Sequence, residues 1–127
     1  MFGSPYAERK ALEATYEDIA VVSRPQPVKG PNGFTRTQDE PVYTGIICAL
    51  SNVSDSSRQT GAQQSLEYDR KLFVQPDKEV LPGDTVTVSR FGRFQAPSPS
   101  VQAFEAVGEP LLYQTHREVF LKAVSLA

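Results

Sequence analysis

Pro110 to Val124 reads PLLYQTHREVFLKAV, and the period of its second half decides the fold. From Thr115 onward, Val119, Leu121 and Ala123 fall on one side, and His116, Glu118, Phe120 and Lys122 on the other. Alternation with period 2, with β-branched residues in it, predicts a final strand rather than a helix. The stretch also holds the chain's only histidine, His116. On a strand, His116 shares a face with Glu118, two residues on, which allows a local pair. Its expected role is structural: the ring orders its neighbours by hydrogen bonds, with Tyr113 packed nearby.

Outward from this strand, the same period recurs. TVTVSRF (85–91) places Val86 and Val88 on one face, and VQAFEAV (101–107) alternates again. In SLEYDRKLFVQP (65–76), Leu66, Tyr68, Leu72 and Val74 bracket Glu67, Asp69 and Lys71. VYTGIICAL (42–50) is apolar on both faces, and YEDIAVVSR (16–24) is a β-branched run. Between the third and fourth runs, Pro82-Gly83 before Asp84 reads as a type II turn pair. PQPVKGPNG (25–33) has three prolines and two glycines, which predicts an irregular loop over about 24–41. SNVSDSSRQTGAQQ (51–64) is a second loop, with hardly an apolar side chain to bury. At the start, SPYAERKALEAT predicts a short helix: Ser4 caps, Pro5 suits the first turn, and Ala7, Ala11, Leu12 and Ala14 roughly share a face. The expected fold is mainly β, a small antiparallel barrel or sandwich of about six strands with long loops. Residues 1–14 form an N-terminal helical arm, and 15–127 one domain.

Composition sets bounds on function. The chain has 127 residues, 39% of them hydrophobic and 22% charged, enough for one core. A formal net charge of -2 does not fit the basic footprint of a general nucleic-acid binder. Cys48 is the only cysteine, so no internal disulfide forms and a reducing compartment is expected. The first residues lack the apolar core of a signal peptide, and no window approaches the ~20 apolar residues that span a bilayer. No membrane partner is expected.

Few motifs carry chemistry. A catalytic His116 would need a nucleophile and an orienting carboxylate from elsewhere in the fold, and GxSxG and HExxH patterns are missing from the sequence. One His and one Cys fall short of a zinc site. Cys48, in the most apolar run, reads as a small core hydrophobe. The glycines of GPNG lack phosphate-loop spacing. No cofactor or metal is expected. SRFGRF (89–94) sets Arg90 and Arg93 beside Phe91 and Phe94, the grammar of a single-strand binding sheet. The preferred alternative is a hairpin turn with inward phenylalanines and outward arginines.

The order of the pieces adds a resemblance. An early YEDIAVVSR is followed by GIICALS and a polar loop, then LFVQPDKEVLPGDTVTV (72–88), then GEPLLYQTHREVFLKA (108–123). This order resembles the head-closure, or head-tail connector, proteins of long-tailed bacteriophages, over about Tyr16 to Val124. The resemblance implies a small β-barrel that assembles as a twelve-fold ring in the neck of the virion, made in the bacterial host cytoplasm. The portal adaptor sits above the ring, a tail terminator or tail protein below, and phage DNA passes through its channel. In related stoppers, the loop between the second and third strands projects towards the channel and helps retain DNA. Here the matching positions are Ser51, Asn52, Asp55, Arg58, Gln59, Gln63 and Gln64. The arm, with Phe2, Tyr6, Arg9 and Leu12, and the loop Arg24 to Pro41 are the candidates for docking on neighbours. Pro82, Gly83, Asp84, Tyr113 and His116 are assigned structural roles, and Arg90 and Arg93 a candidate nucleic-acid contact. The sequence therefore reads as a non-enzymatic connector subunit. Its alternatives are a tail-terminator or tail-completion ring protein and a single-stranded nucleic-acid binding barrel.

Overall fold

The structure is a computed structural model that describes residues 5–51, 68–94 and 100–124. The candidate positions Phe2, Asn52, Asp55, Arg58, Gln59, Gln63 and Gln64, and the expected strand residue Leu66, lie outside the described residues.

A helix, α1 (Pro5–Glu13), precedes seven strands: β1 (Asp18–Lys29), β2 (Thr35–Leu50), β3 (Arg70–Val74), β4 (Thr85–Arg90), β5 (Ser100–Ala106), β6 (Leu111–Leu112) and β7 (Arg117–Ala123). All neighbours pair antiparallel, in the order β3-β2-β1-β4-β5-β7-β6, and β3 also pairs with β7. That last pairing closes the sheet: β1, β2, β3, β7, β5 and β4 form a ring of hydrogen bonds, and β6 borders the start of β7. The period-2 residues line its inside. Ala20, Val22, Cys48, Leu72, Val74, Val86, Val88, Phe104, Ala106, Val119 and Leu121 are all buried in one cluster. Val80, in the connector between β3 and β4, is fully buried with them. Burying each valine, leucine and phenylalanine among them contributes roughly 1.5–3 kcal/mol before chain entropy is counted.

The expected turn is present. Asp84 donates its N–H to Leu81 O at 3.0 Å, and Gly83 has φ +93°, the left-handed conformation that a type II turn demands of its third residue. The end of the chain differs from expectation. The last strand begins at Arg117, two residues after the expected Thr115, because Leu111 and Leu112 form β6 and the chain turns back after them. Leu112 pairs with Arg117, and Tyr113 donates its N–H to His116 O at 2.8 Å, so Gln114 and Thr115 are the turn. Phe120, on the outer face of β7, is also buried, because the ring of Tyr68 lies 4.9 Å from it.

The larger correction concerns 24–41, which is paired strand and not irregular loop. Arg24–Lys29 of β1 pairs with Thr35–Glu40 of β2, and Pro31-Asn32-Gly33 closes the hairpin. The prolines are tolerated by position. Gly30 donates its N–H to Phe34 O, so the even-numbered N–H groups of this part of β1 face β2. Pro25 and Pro27 occupy the alternate positions, facing a side where the pairing with β4 has already ended at Ser23↔Thr85. The result is a two-stranded ribbon about 20 Å long at ~3.4 Å per residue, running beyond the closed sheet. Its base is bent. Ala20, Val22 and Ser23 face Ile46, Tyr43 and Pro41, so β2 carries an extra residue at each step, and Gly45 (φ +67°) supplies the left-handed backbone of one bulge.

Candidate assembly surfaces

The two loop ends and the ribbon are held by buried carboxylates. Asp18 opens β1 and is 2% exposed. Its Oδ2 accepts the N–H of Leu50 at 2.8 Å, and its Oδ1 accepts the N–H of Phe91 at 2.8 Å and Arg90 Nε at 3.2 Å. Phe91 takes the left-handed conformation, φ 60°, uncommon for a residue with a side chain, and is held there by its bond to Asp18 and by the Phe94 N–H donated to its carbonyl at 3.2 Å. Arg93 donates from one Nη1 to the carbonyls of Glu13 and Tyr16 at 2.7 and 2.8 Å. Both arginines are thus turned onto their own chain, while Phe91 and Phe94 are exposed. This reverses the expected hairpin of inward phenylalanines and outward arginines. The reason is Asp18: a carboxylate buried that deeply requires a cation and donors, and Arg90 answers it.

Ser51, the last described residue before the long polar segment, is bound to the start of β3. It donates its N–H to Lys71 O, its Oγ accepts Lys71 N–H, and its carbonyl accepts Arg70 Nη1 at 2.8 Å. On the far side of the segment, Asp69 donates its N–H to Leu121 O and accepts Ala123 N–H at 2.7 Å. Both ends of 52–67 are therefore fixed to the sheet, at the end opposite the ribbon tip.

At the ribbon base, Asp84 is 1% exposed and takes a two-pronged contact from Arg24, Nε to Oδ1 and Nη2 to Oδ2, both 2.9 Å. Oδ2 also accepts Leu81 N–H at 2.8 Å, so one carboxylate fixes the Pro82-Gly83 turn and the ribbon together. Such planar pairing is what a guanidinium offers and an ammonium does not.

The helical arm docks on its own chain. Glu13 is buried, pairs with Arg9 and accepts Gln75 Nε2 at 3.2 Å, and Arg9 Nη2 reaches Asp77 at 2.9 Å. Of the candidate arm contacts, Arg9 is engaged internally, Leu12 is half-buried and Tyr6 is 67% exposed. Past the helix, Tyr16 is buried with a hydroxyl that has no hydrogen-bond partner among the described residues. Burial, and then the charge of Glu13, push its phenol up to about 12. A phenol raised from its usual value near 10 contributes stability that is whole below pH ~10 and lost as pH rises towards 12. We expect Tyr16→Phe to leave stability at neutral pH unchanged or raise it by up to about 1 kcal/mol, since the orphan hydroxyl is removed. It should also flatten the loss between pH 10 and 12 in urea titrations. A steep neutral-pH loss would contradict this. Burial also raises the Cys48 thiol, which stays protonated in the core.

His116 stands in the hairpin turn. Its Nδ1 lies 3.1 Å from Thr115 Oγ1, its Nε2 lies 3.0 Å from Glu118 Oε2, and the Tyr113 ring stacks on it at 4.6 Å and 11°. Phe73 meets it at an angle, and Lys71 Nζ lies 3.7 Å from Glu118. A hydroxyl, an imidazole and a carboxylate do line up, but all three come from one hairpin and are joined to each other. His116→Ala is expected to lower stability by about 1–2 kcal/mol, the cost of a lost half-buried hydrogen bond; thermal melting checks it. Among the described residues, no group of three His, Cys, Asp or Glu side chains is placed to hold a metal ion. Nor is any described helix long and apolar enough to cross a membrane.

No protein-family model matches the chain, and no curated protein matches it. Among solved structures, protein SF1141 from Shigella flexneri 2a superposes with a TM-score of 0.63 and 11% identity, over 88% of this chain and 96% of that one. The phage-like element PBSX protein xkdH from Bacillus subtilis superposes with a TM-score of 0.46 and 11% identity, over 85% and 92%. The second likeness is too loose to bear on function, and the first is one of fold alone. The chain is thus a mainly antiparallel β protein, its sheet closed by the β3–β7 pairing, with the fold of SF1141.

Proposed function

We propose that this chain is a structural, non-enzymatic subunit of a bacteriophage neck, a head-closure or head-tail connector protein that forms a ring with its own copies. The ring would lie below the portal adaptor and above the tail, around the path of the DNA. One observation carries most of the support. The two segments that resemble the connector family, 72–88 and 108–123, are neighbours in space. Leu72, Phe73 and Val74 pair with Val119, Glu118 and Arg117, and Arg117 Nη2 donates to Pro76 O at 2.8 Å. Their order along the chain is also a shared wall of the closed sheet. The fold is suited to the role: its apolar side chains are gathered inside the closed sheet, and a paired ribbon extends beyond it. The inward engagement of Arg90 and Arg93 weighs against the single-stranded nucleic-acid reading.

Cryo-electron microscopy of DNA-filled particles carrying this chain tests the proposal. A ring of its density between portal adaptor and tail is the expected result. Density capping a free tail would establish the tail-terminator role instead, and its absence from the virion would overturn both.

A further inference from the structure

Resting on the ring reading, we infer that the ribbon tip of each copy docks on the Leu81–Gly83 turn of the next copy. The tip is basic and apolar. Between Val28 and Thr37 the only charged residues are Lys29 and Arg36, and Phe34 is 74% exposed. No other large apolar side chain among the described residues is so open.

The turn has the complementary character. Leu81 is exposed at 39%. Glu79, two residues before it, is exposed, and so is Glu109 on the connection that follows β5. Gly83 donates its N–H to Ala106 O at 2.8 Å, which brings the end of β5 beside the turn. The neighbouring cations are engaged: Arg24 with Asp84, and Lys78 with Asp77 at 3.7 Å. An exposed leucine and two exposed acids on this side of the chain thus match the exposed phenylalanine and two cations of the tip in kind.

One copy cannot satisfy both. Arg24 ties the base of the ribbon to this turn through Asp84, and six cross-strand pairs, from Arg24↔Glu40 to Lys29↔Thr35, separate that base from the tip. While the ribbon stays paired, its tip is held about 20 Å away. A contact between two different patches on identical subunits is heterologous, and repeated with rotation it generates a ring.

Selective disulfide trapping tests the contact. Phe34→Cys and Leu81→Cys chains are prepared separately and mixed in equal amounts under mild oxidation; Cys48 is buried and stays silent. The mixed tip-to-turn dimer should exceed the tip–tip and turn–turn products by at least tenfold. Adding Lys29→Glu and Arg36→Glu should remove that preference, and Glu79→Lys with Glu109→Lys on the other chain should restore it. A statistical mixture of the three products, or no trapping, overturns the contact. A neck ring seen without selective trapping would remove this contact and leave the ring, whereas selective trapping without neck density would keep the contact and remove the neck assignment.

Discussion

Asp18→Ala should cost about 3–5 kcal/mol, the range for breaking a buried ion pair while leaving its partner in place. The substitution strands the N–H groups of Leu50 and Phe91 and takes from Arg90, 15% exposed, the carboxylate that lies 3.2 Å from its Nε. Three elements lose their common anchor at once: the start of β1, the end of β2 and the turn after β4. Against a total stability on the order of 5–15 kcal/mol, such a loss brings the domain near its threshold. Urea unfolding measures it through the midpoint. Asp18→Asn keeps one carbonyl acceptor and should recover part of the cost. A shift below about 1 kcal/mol for the alanine variant would mean that water takes over the three donors without penalty.

Asp84→Ala is the second large effect, again about 3–5 kcal/mol, with a local signature in addition. Arg24 loses its only two-pronged partner and Leu81 N–H its acceptor. The ribbon, a two-stranded element that is marginal by itself, then depends on its own ladder. Hydrogen exchange at Val28, Arg36 and Gln38, whose N–H groups lie within that ladder, should quicken more than at Val86 or Val88 in the closed sheet. Equal protection in both regions would show that the ribbon does not need the latch. A double-mutant cycle with Arg24→Met isolates the pair from the Leu81 bond.

Most strands were legible because their inner faces alternate strictly. Val86 and Val88, Leu72 and Val74, and Val119 and Leu121 are each two apart and each buried. The ribbon was not legible, since three prolines in nine residues read as breakers unless their alignment with β2 is known. The choice between barrel and sandwich depended on β3 meeting β7, a pairing between distant segments that no local pattern announces. The inward turn of Arg90 and Arg93 depended on Asp18 and on the carbonyls of Glu13 and Tyr16, more than seventy residues earlier in the chain. The stretch 115–123 disclosed a strand, but not the preceding β6 that shifts its start and places His116 in a turn.

The position of β7 has a consequence for biogenesis. It borders β3 on one edge and β5 and β6 on the other, so it is the closing stave of the ring. A nascent chain that has not yet delivered residues 117–123 has two bare strand edges, on β3 and on β5, each a template for adhesion to other chains. Closure joins segments far apart in sequence, which makes it a slow event. Until β7 arrives, those two edges are the places at which the unfinished chain is open to aggregation.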